Sequence, residues 1–200
     1  AGAAESPKRW RCAATPVSQS LEMELPGSWP KYLDRLSSRQ RHEVRRKLRR
    51  LHESGEVVIS DIGGAEGIDA ALDQFIELFR LSRRDKAAFM NKKRERFFRD
   101  LGAELSAAGM LRLQAITIND VCAAIVFCIE YADCLYLYNN GYRPEYRATS
   151  IGLLSKVLSI GAAIEAQLST YDFLGGTERY KYQLGGKGIT LYSCVFECGN

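Results

Sequence analysis

The stretch Arg143-Pro-Glu-Tyr-Arg147-Ala-Thr-Ser150-Ile-Gly152 has the residue types of a turn that opens a helix. A helix N-terminus presents backbone N–H groups without intrahelical partners, together with the positive end of the helix dipole, and so suits a phosphate. Ser150 can cap such a helix, and Gly152 lets a ligand approach the backbone. Arg147 or Arg143 can add charge-assisted bonds to a bound anion. A plain capped helix after a loop has the same pattern. A second concentration of charge lies upstream. From Arg35 to His52 there are eight Lys/Arg and one acid, Glu43, in a chain whose formal net charge is only +4. Arg41, Arg45 and Arg49 follow one flank of a helix, beside a narrow apolar stripe of Val44, Leu48 and Leu51. Such a face is usually a solvated one, and it can also meet an anionic partner. Other chemistry is excluded by spacing. The two histidines, His42 and His52, both lie in the basic segment, which leaves no Ser/His/Asp or Cys/His set. The six cysteines, Cys12, Cys122, Cys128, Cys134, Cys194 and Cys198, form no CxxC pair, so the ligand spacing of a zinc site is missing. Cys122 and Cys128 fall in an apolar run and read as small buried hydrophobes of a reduced, cytoplasmic protein.

The elements that must position these residues follow from periodicity. Residues 16–25 alternate as a strand, which Pro26-Gly27 stops. A short helix with Pro30 in its first turn precedes the basic helix, which Ser37 or Ser38 can cap and Gly55 ends. Val57-Val-Ile59 reads as a strand. Ile68, Leu72, Phe75 and Phe79 mark one amphipathic helix, and Phe97, Phe98, Leu101 and Leu105 another, with residues 91–96 connecting them. Residues 110–118, 121–129 and 134–138 then form an antiparallel meander whose middle strand is apolar throughout and hence buried on both faces. A loop over 139–149, a helix over 150–167, and strands at 171–174 and 189–197 complete the order. The helix between Tyr138 and Tyr171 is most simply a parallel crossover, which predicts an α/β fold with a mixed central sheet and helices on both faces.

At 200 residues, with 46% apolar and 26% charged residues, the chain is ordinary for one globular domain, and no window is apolar enough for a membrane-spanning helix. It starts without Met or a signal peptide, and residues 1–7 read as a linker or cut site. The expected organisation is a linker or flexible N-terminus over 1–15 and a single domain over 16–200, excised from a longer protein.

Three motifs carry a family resemblance. The turn at Arg147, Ser150 and Gly152 resembles the pyrophosphate loop of GNAT-superfamily acyltransferases, Arg/Gln-x-x-Gly-x-Gly/Ala, with Ser150 where most members have Gly. That departure is similar to one branch, the cellulose-biosynthesis-type (CelD-like) acetyltransferases, although Ile151 replaces a Pro found there. The segment Tyr171-Asp-Phe-Leu-Gly-Gly-Thr-Glu178-Arg-Tyr180-Lys181-Tyr-Gln-Leu-Gly185 resembles that branch's closing motif. It is also similar to the Fem-type aminoacyl transferases of peptidoglycan synthesis, in which Asp-Phe-Gly precedes Phe-Lys. Trp29-Pro-Lys-Tyr-Leu33, Leu36-Ser and the basic run over 41–51 resemble the branch's opening. The matches span about residues 20–196 in the expected order.

The resemblance implies a GNAT fold and direct transfer of an acyl group from acetyl-CoA or another acyl-CoA to an amine or hydroxyl of a saccharide or cell-envelope precursor, through a ternary complex, as in polysaccharide biosynthesis. The cofactor would lie where strands 134–138 and 171–174 splay, with its pyrophosphate at Ser150, Ile151 and Gly152, helped by Arg147. Backbone near Tyr138, Asn139 and Asn140 would pair with the pantetheine amides. Such transfer needs an oxyanion donor, a proton acceptor for the nucleophile, and an acid for the leaving thiolate. Lys181, on the motif Lys of both families, is expected to stabilise charge or anchor substrate. Glu178 is the first candidate base, with Asp172 behind it, and Tyr180 or Tyr182 would protonate the thiolate. Arg45 on the basic helix and Lys86, which follows Arg83-Arg84-Asp85, would face the acceptor. The basic helix suits a CoA phosphate, a phosphorylated sugar or lipid carrier, a membrane surface or tRNA. Two alternatives remain at this level: a Fem-type transferase drawing on aminoacyl-tRNA, and a non-catalytic module that kept the fold.

Overall fold

The computed structural model describes residues 9–62 and 67–199. Seven strands form one sheet in the order β2-β3-β4-β5-β6-β1-β7. In chain order the elements are β1 (Arg9–Glu24), α1 (Trp29–Arg35), α2 (Ser38–Glu53), β2 (Val57–Asp61), α3 (Ile68–Ser82), α4 (Arg84–Phe89), α5 (Lys92–Ala107), β3 (Leu111–Ile118), β4 (Val121–Tyr131), β5 (Cys134–Tyr142), a 3-10 turn (Pro144–Thr149), α6 (Ile151–Glu165), β6 (Thr170–Gly175), α7 (Arg179–Gln183) and β7 (Lys187–Gly199). The expected mixed α/β sheet with helices on both faces is the observed architecture.

Local chemistry accounts for the helix starts that matter to the site. Ser37 and Gln40 close a reciprocal capping box at the head of α2: Ser37 Oγ accepts from the Gln40 N–H at 3.3 Å, and Gln40 Oε1 accepts from the Ser37 N–H at 2.9 Å. Asn91 caps α5 from one side only, its Oδ1 accepting from the Arg94 N–H at 3.0 Å. Residues 91–96, expected as a connection, therefore open a helix. The connection itself is α4, which the long-period pattern of its neighbours concealed.

The meander β3-β4-β5 turns on residues held at positive φ, Asn119 and Asp120 in the first hairpin and Ala132 and Asp133 in the second, as two-residue hairpins require. Along β4, Ile125 and Phe127 face one core cluster while Ala124, Val126 and Cys128 face the other. The strand is buried on both sides, as its apolar run predicts. One cluster packs α1, α2 and α6 against the sheet, and the second packs α3 and α5 around Phe75, Phe79, Phe98 and Phe127. The crossover through α6 makes β5 and β6 parallel.

The first strand corrects the expected domain start. It begins at Arg9, so residues 9–15, read as linker, are sheet; residues 1–8 lie outside the described residues. Residues 9–19 pair with β7 alone, and only from Ser20 onward does β1 also pair with β6. Over residues 11–19 this ribbon is exposed on both faces, so burial of one face imposes no alternation on the residues before Pro16. Similarly, β5 runs four residues past its expected end at Tyr138, and part of the expected loop over 139–149 is the 3-10 turn.

Candidate active site

The parallel ladder between β5 and β6 holds only three pairs, Cys134↔Thr170, Leu135↔Tyr171 and Tyr136↔Asp172. Beyond them β5 continues to Tyr142 and β6 to Gly175 without pairing to each other. On its other edge β5 carries one extra residue, Tyr138, between the pairs Cys128↔Leu137 and Phe127↔Asn139, and a bulge of this kind bends its strand. The two strands splay, and the wedge opens into a cleft of about 740 Å³. Its lining includes seven cationic side chains, Lys47, Arg83, Lys86, Arg147, Lys156, Arg179 and Lys181, against one carboxylate, Glu178.

At one end of the cleft α6 begins. Ser150 holds the left-handed conformation (φ 62°) at the position before the helix, and its side chain makes no capping bond. Its hydroxyl instead accepts a hydrogen bond from Lys47 Nζ at 2.9 Å. The basic helix thus reaches the phosphate turn through Lys47. Arg45 is exposed and does not line the cleft, contrary to the expectation for it, because its place on α2 faces away from α6. Arg147 lines the cleft; Arg143 does not, being held by Glu77 at 3.2 Å and by the Cys122 carbonyl at 3.1 Å. Gly152 and Ile151 form the first turn of α6. A Cβ on Gly152 would stand 2.7 Å from the Tyr142 ring, so the missing side chain is filled by Tyr142 rather than left open to a ligand.

The β5 edge is tied, not bare. Asn140 is buried; its N–H donates to Asn139 Oδ1 at 2.9 Å, and its side-chain amide donates to the Gly152 carbonyl at 3.2 Å and to Ser155 Oγ at 3.3 Å. Lys86 reaches the same edge, donating to the Asn140 carbonyl and, at 3.1 Å, to Asn139 Oδ1, with its ammonium 4.5 Å from the Phe79 ring centre. Burial pushes the Lys86 pKa down to about 8, and repulsion from Arg83 acts in the same sense. Tyr138 lines the cleft beside them.

At the opposite wall, Lys181 is 3% exposed, and its Nζ donates to the carbonyls of Leu174 (3.0 Å), Gly175 (2.7 Å) and Gly176 (3.2 Å) and pairs with Glu178 at 3.0 Å. Three carbonyls and the Glu178 carboxylate share the three donors of an ammonium. Lys181 therefore clamps the end of β6, and the expected roles in charge stabilisation or substrate anchoring have no free donor behind them. Burial pushes the Glu178 carboxyl up, but the hydrogen bond and charge of Lys181 outweigh it and hold the group below its ordinary value. A carboxylate held low is a weak base. Asp172 does not line the cleft; its Oδ1 accepts from the Leu174 N–H at 2.7 Å and from Ser20 Oγ at 3.2 Å, supporting Leu174 at φ 59°. Its expected reserve role as base gives way to this turn. Tyr180 lines the cleft, whereas Tyr182 is exposed outside it.

The residue that sequence reading passed over is Lys156. It projects from the second turn of α6, donates to the Gly152 carbonyl at 2.6 Å, and lies 4.9 Å from the Tyr180 ring centre. Burial pushes its pKa down to about 7, with repulsion from Lys86 next in weight. The sequence does carry a signal for it: Lys156 is the one charged residue between Ile151 and Ile164. Lys47 has no such signal, being one of seven Lys/Arg on one helix.

The acetyltransferase (GNAT) domain model matches residues 38–182, from the start of α2 through the Lys181 clamp. The chain belongs to the GNAT acetyltransferase family. It is a GNAT-type acyltransferase domain, and the splayed strands and α6 turn described above are the family region of the chain. Among solved structures the GNAT domain is similar to FemX (TM-score 0.64, 11% identity, covering 86% of this chain and 60% of that one). It is also similar to the C-terminal domain of a protein described as a lysylphosphatidylglycerol synthetase from Agrobacterium fabrum (TM-score 0.61, 9% identity, 92% and 61%). A third likeness is to L-PGS from Bacillus licheniformis (TM-score 0.50, 8% identity, 84% and 50%). These likenesses are of fold. The GNAT domain spans about three fifths of the length of the first two. No curated protein matches it.

Proposed function

We propose that this domain transfers an acyl group from acetyl-CoA or another acyl-CoA to an amine or hydroxyl of a saccharide or cell-envelope precursor, in the manner of the CelD-like branch. The observation that carries this reading is the convergence of six cationic side chains and the partly protonated Lys156, against one carboxylate, on the wedge between β5 and β6. A cleft so unbalanced in charge calls for a polyanion, and a nucleotide pyrophosphate with a further phosphate answers that call. The residues present fit the group: Lys47, Arg147 and the first-turn amides of Ile151 and Gly152 for phosphates, and the strand ends beyond Tyr136 for the pantetheine arm. When bound, the thioester supplies the activated acyl carbon.

The chain's own residues supply the rest. Lys47 and Arg147 bind and orient the phosphates at the head of α6. Lys86 holds the Asn139–Asn140 edge of β5, against which the arm is laid. Lys181 fixes the end of β6 so that the far wall keeps its shape. Lys156, unprotonated in part at neutral pH, takes the proton that an attacking amine or hydroxyl releases, with Nζ as the acceptor atom. Tyr180, whose hydroxyl burial pushes up, stays protonated beside it and can hand a proton to the departing thiolate. The location follows from the donor pool and is proposed as cytoplasmic.

One observation supports a second reading. Arg39, Arg45, Arg49 and Arg50 carry the positive face of α2 outward from Lys47, a track longer than one nucleotide needs. That face suits aminoacyl-tRNA as donor, the Fem-type alternative. The assay that tests both is release of free thiol from acetyl-CoA in the presence of amino sugars and glycolipid precursors, run beside transfer from aminoacyl-tRNA to the same acceptors. Thiol release that Lys156→Met abolishes supports the CoA reading. Transfer from tRNA alone replaces it with the second, and inactivity with both donors leaves a non-catalytic module.

A further inference from the structure

Gln114, on β3, is 7% exposed, and its Oε1 is the one buried side-chain oxygen or nitrogen without a hydrogen-bond partner among the described residues. A buried acceptor left unpaired is costly, and native structures rarely tolerate one without an occupant for it. Gln114 lines a groove of about 470 Å³ between α2, β2 and α6, and also a recess of about 60 Å³ that continues from it beneath α6. The groove's volume falls in the range of about 300–1,000 Å³ typical of small-molecule sites. It shares no lining residue with the acyl-transfer cleft: Gly152, Leu153 and Lys156 serve the cleft, and Val157, Leu158 and Gly161 serve the groove.

The groove is lined by the carboxylates of Asp61 and Glu165 and the Gln114 amide, with His52 and Ser60 as the other polar side chains. Asp61 lines both the groove and the recess, and no hydrogen bond reaches its carboxylate among the described residues. Burial pushes its carboxyl up; Arg112 opposes that, and Glu130 adds to it. Arg112, which lines the recess, is engaged by Glu130 at 2.7 Å. Glu165 adds a second carboxylate at the mouth. The walls are Trp29, Leu48, Ile59, Val157 and Leu158, an aromatic face and aliphatic surface. An ammonium satisfies unpaired carboxylate and amide oxygens, and an indole face attracts a cation.

We propose that this groove is a second binding site, for a small primary amine with an apolar body, whose ammonium sits between the Asp61 carboxylate and Gln114 Oε1 while the body lies along Trp29 and Leu158. The site goes beyond the acyl-transfer reading and does not depend on it, since it uses other residues on the other flank of α6.

The test is an amide-detected NMR titration of the intact chain with phenethylamine, 2-phenylethanol and phenylacetate at neutral pH and moderate salt. Saturable shifts at Ile59, Asp61, Gln114 and the Trp29 indole are expected with phenethylamine. The alcohol should bind about tenfold more weakly and the carboxylate not at all. Asp61→Asn and Gln114→Leu, each checked for an unchanged melting profile, should each weaken the amine about tenfold. Comparing the three probes on the unaltered chain keeps the test independent of how the variants fold. The proposal is overturned by absence of saturable shifts, by shifts confined to Ser150–Lys156, by equal binding of phenylacetate, or by full affinity in both variants; Gln114 Oε1 would then be met by ordered water alone.

Discussion

Lys156 Nζ stands 4.9 Å from the centre of the Tyr180 ring, in a cleft that Lys86 and Lys181 also line. An amine placed there, half-protonated near pH 7, is matched to proton abstraction at physiological pH. The transfer rate kcat/KM should therefore rise with pH through about 7 and level off above it, since the unprotonated amine is the working form. Lys156→Met should lower the rate by about 10²–10⁴-fold and remove that rise. Lys156→Arg should fail equally, because a guanidinium keeps its proton. A pH–rate series on the three proteins checks this; an unchanged rise in Lys156→Met would move the proton acceptor elsewhere.

The same displaced pKa has a consequence for stability. Lys156 binds its proton less readily in the folded chain (about 7) than in the unfolded chain (ordinary value 10.5), so between those values the unfolded state holds more protons. Folding stability from this group rises as pH increases from about 7 to about 10.5. Lys86, at about 8, contributes in the same direction over the upper part of that window. Denaturant unfolding at several pH values should show the slope, and Lys156→Met should flatten it.

Lys181 and Glu178 divide structure from exposure. Lys181→Met strands three carbonyls and one carboxylate, and a lost set of charge-assisted bonds should cost about 2–5 kcal/mol of stability. Glu178→Gln, at a side chain 58% exposed, should leave the melting temperature nearly unchanged and reduce turnover less than tenfold. Calorimetric melting with parallel rate measurement separates the two. A Lys181→Met protein as stable as the parent would contradict the clamp.

Gly152 and Tyr142 should behave as a coupled pair. Gly152→Val drives a side chain into the Tyr142 ring, an overpacking cost of about 1–3 kcal/mol. Tyr142→Ala in the same chain should recover part of that stability. Donor affinity should recover along with stability in the double variant, because the Val side chain then occupies the space that Tyr142 vacates. The double-mutant cycle on melting and on donor binding reads both quantities.

How far the sequence disclosed this arrangement depended on whether each feature was local. The meander was legible because hairpin turns and a strand buried on both faces are written in consecutive residues. The head of α6 was legible because Arg147, Ser150 and Gly152 are close in the chain. The strands at 16–25 and 189–197 were legible, but residues 9–15 and their pairing with β7 were hidden, since that pairing joins residues nearly two hundred apart. The roles within the site were the least legible. Lys181 and Lys156 are both lysines close to turns in the chain, and only the tertiary placement of three carbonyls around one and an apolar helix around the other distinguishes clamp from proton acceptor. Arg45 and Lys47 differ by two helix positions, and it is the packing of α2 against α6 that turns one to solvent and the other to Ser150.

The most direct test of the central claim is a calorimetric titration of acetyl-CoA into the purified chain, repeated with Lys47→Gln and with Arg45→Gln. The account predicts saturable binding that weakens with salt, a loss of about tenfold in Lys47→Gln, and affinity within about twofold of the parent in Arg45→Gln. No saturable binding of acetyl-CoA, or equal losses in the two variants, would contradict a CoA site at the head of α6.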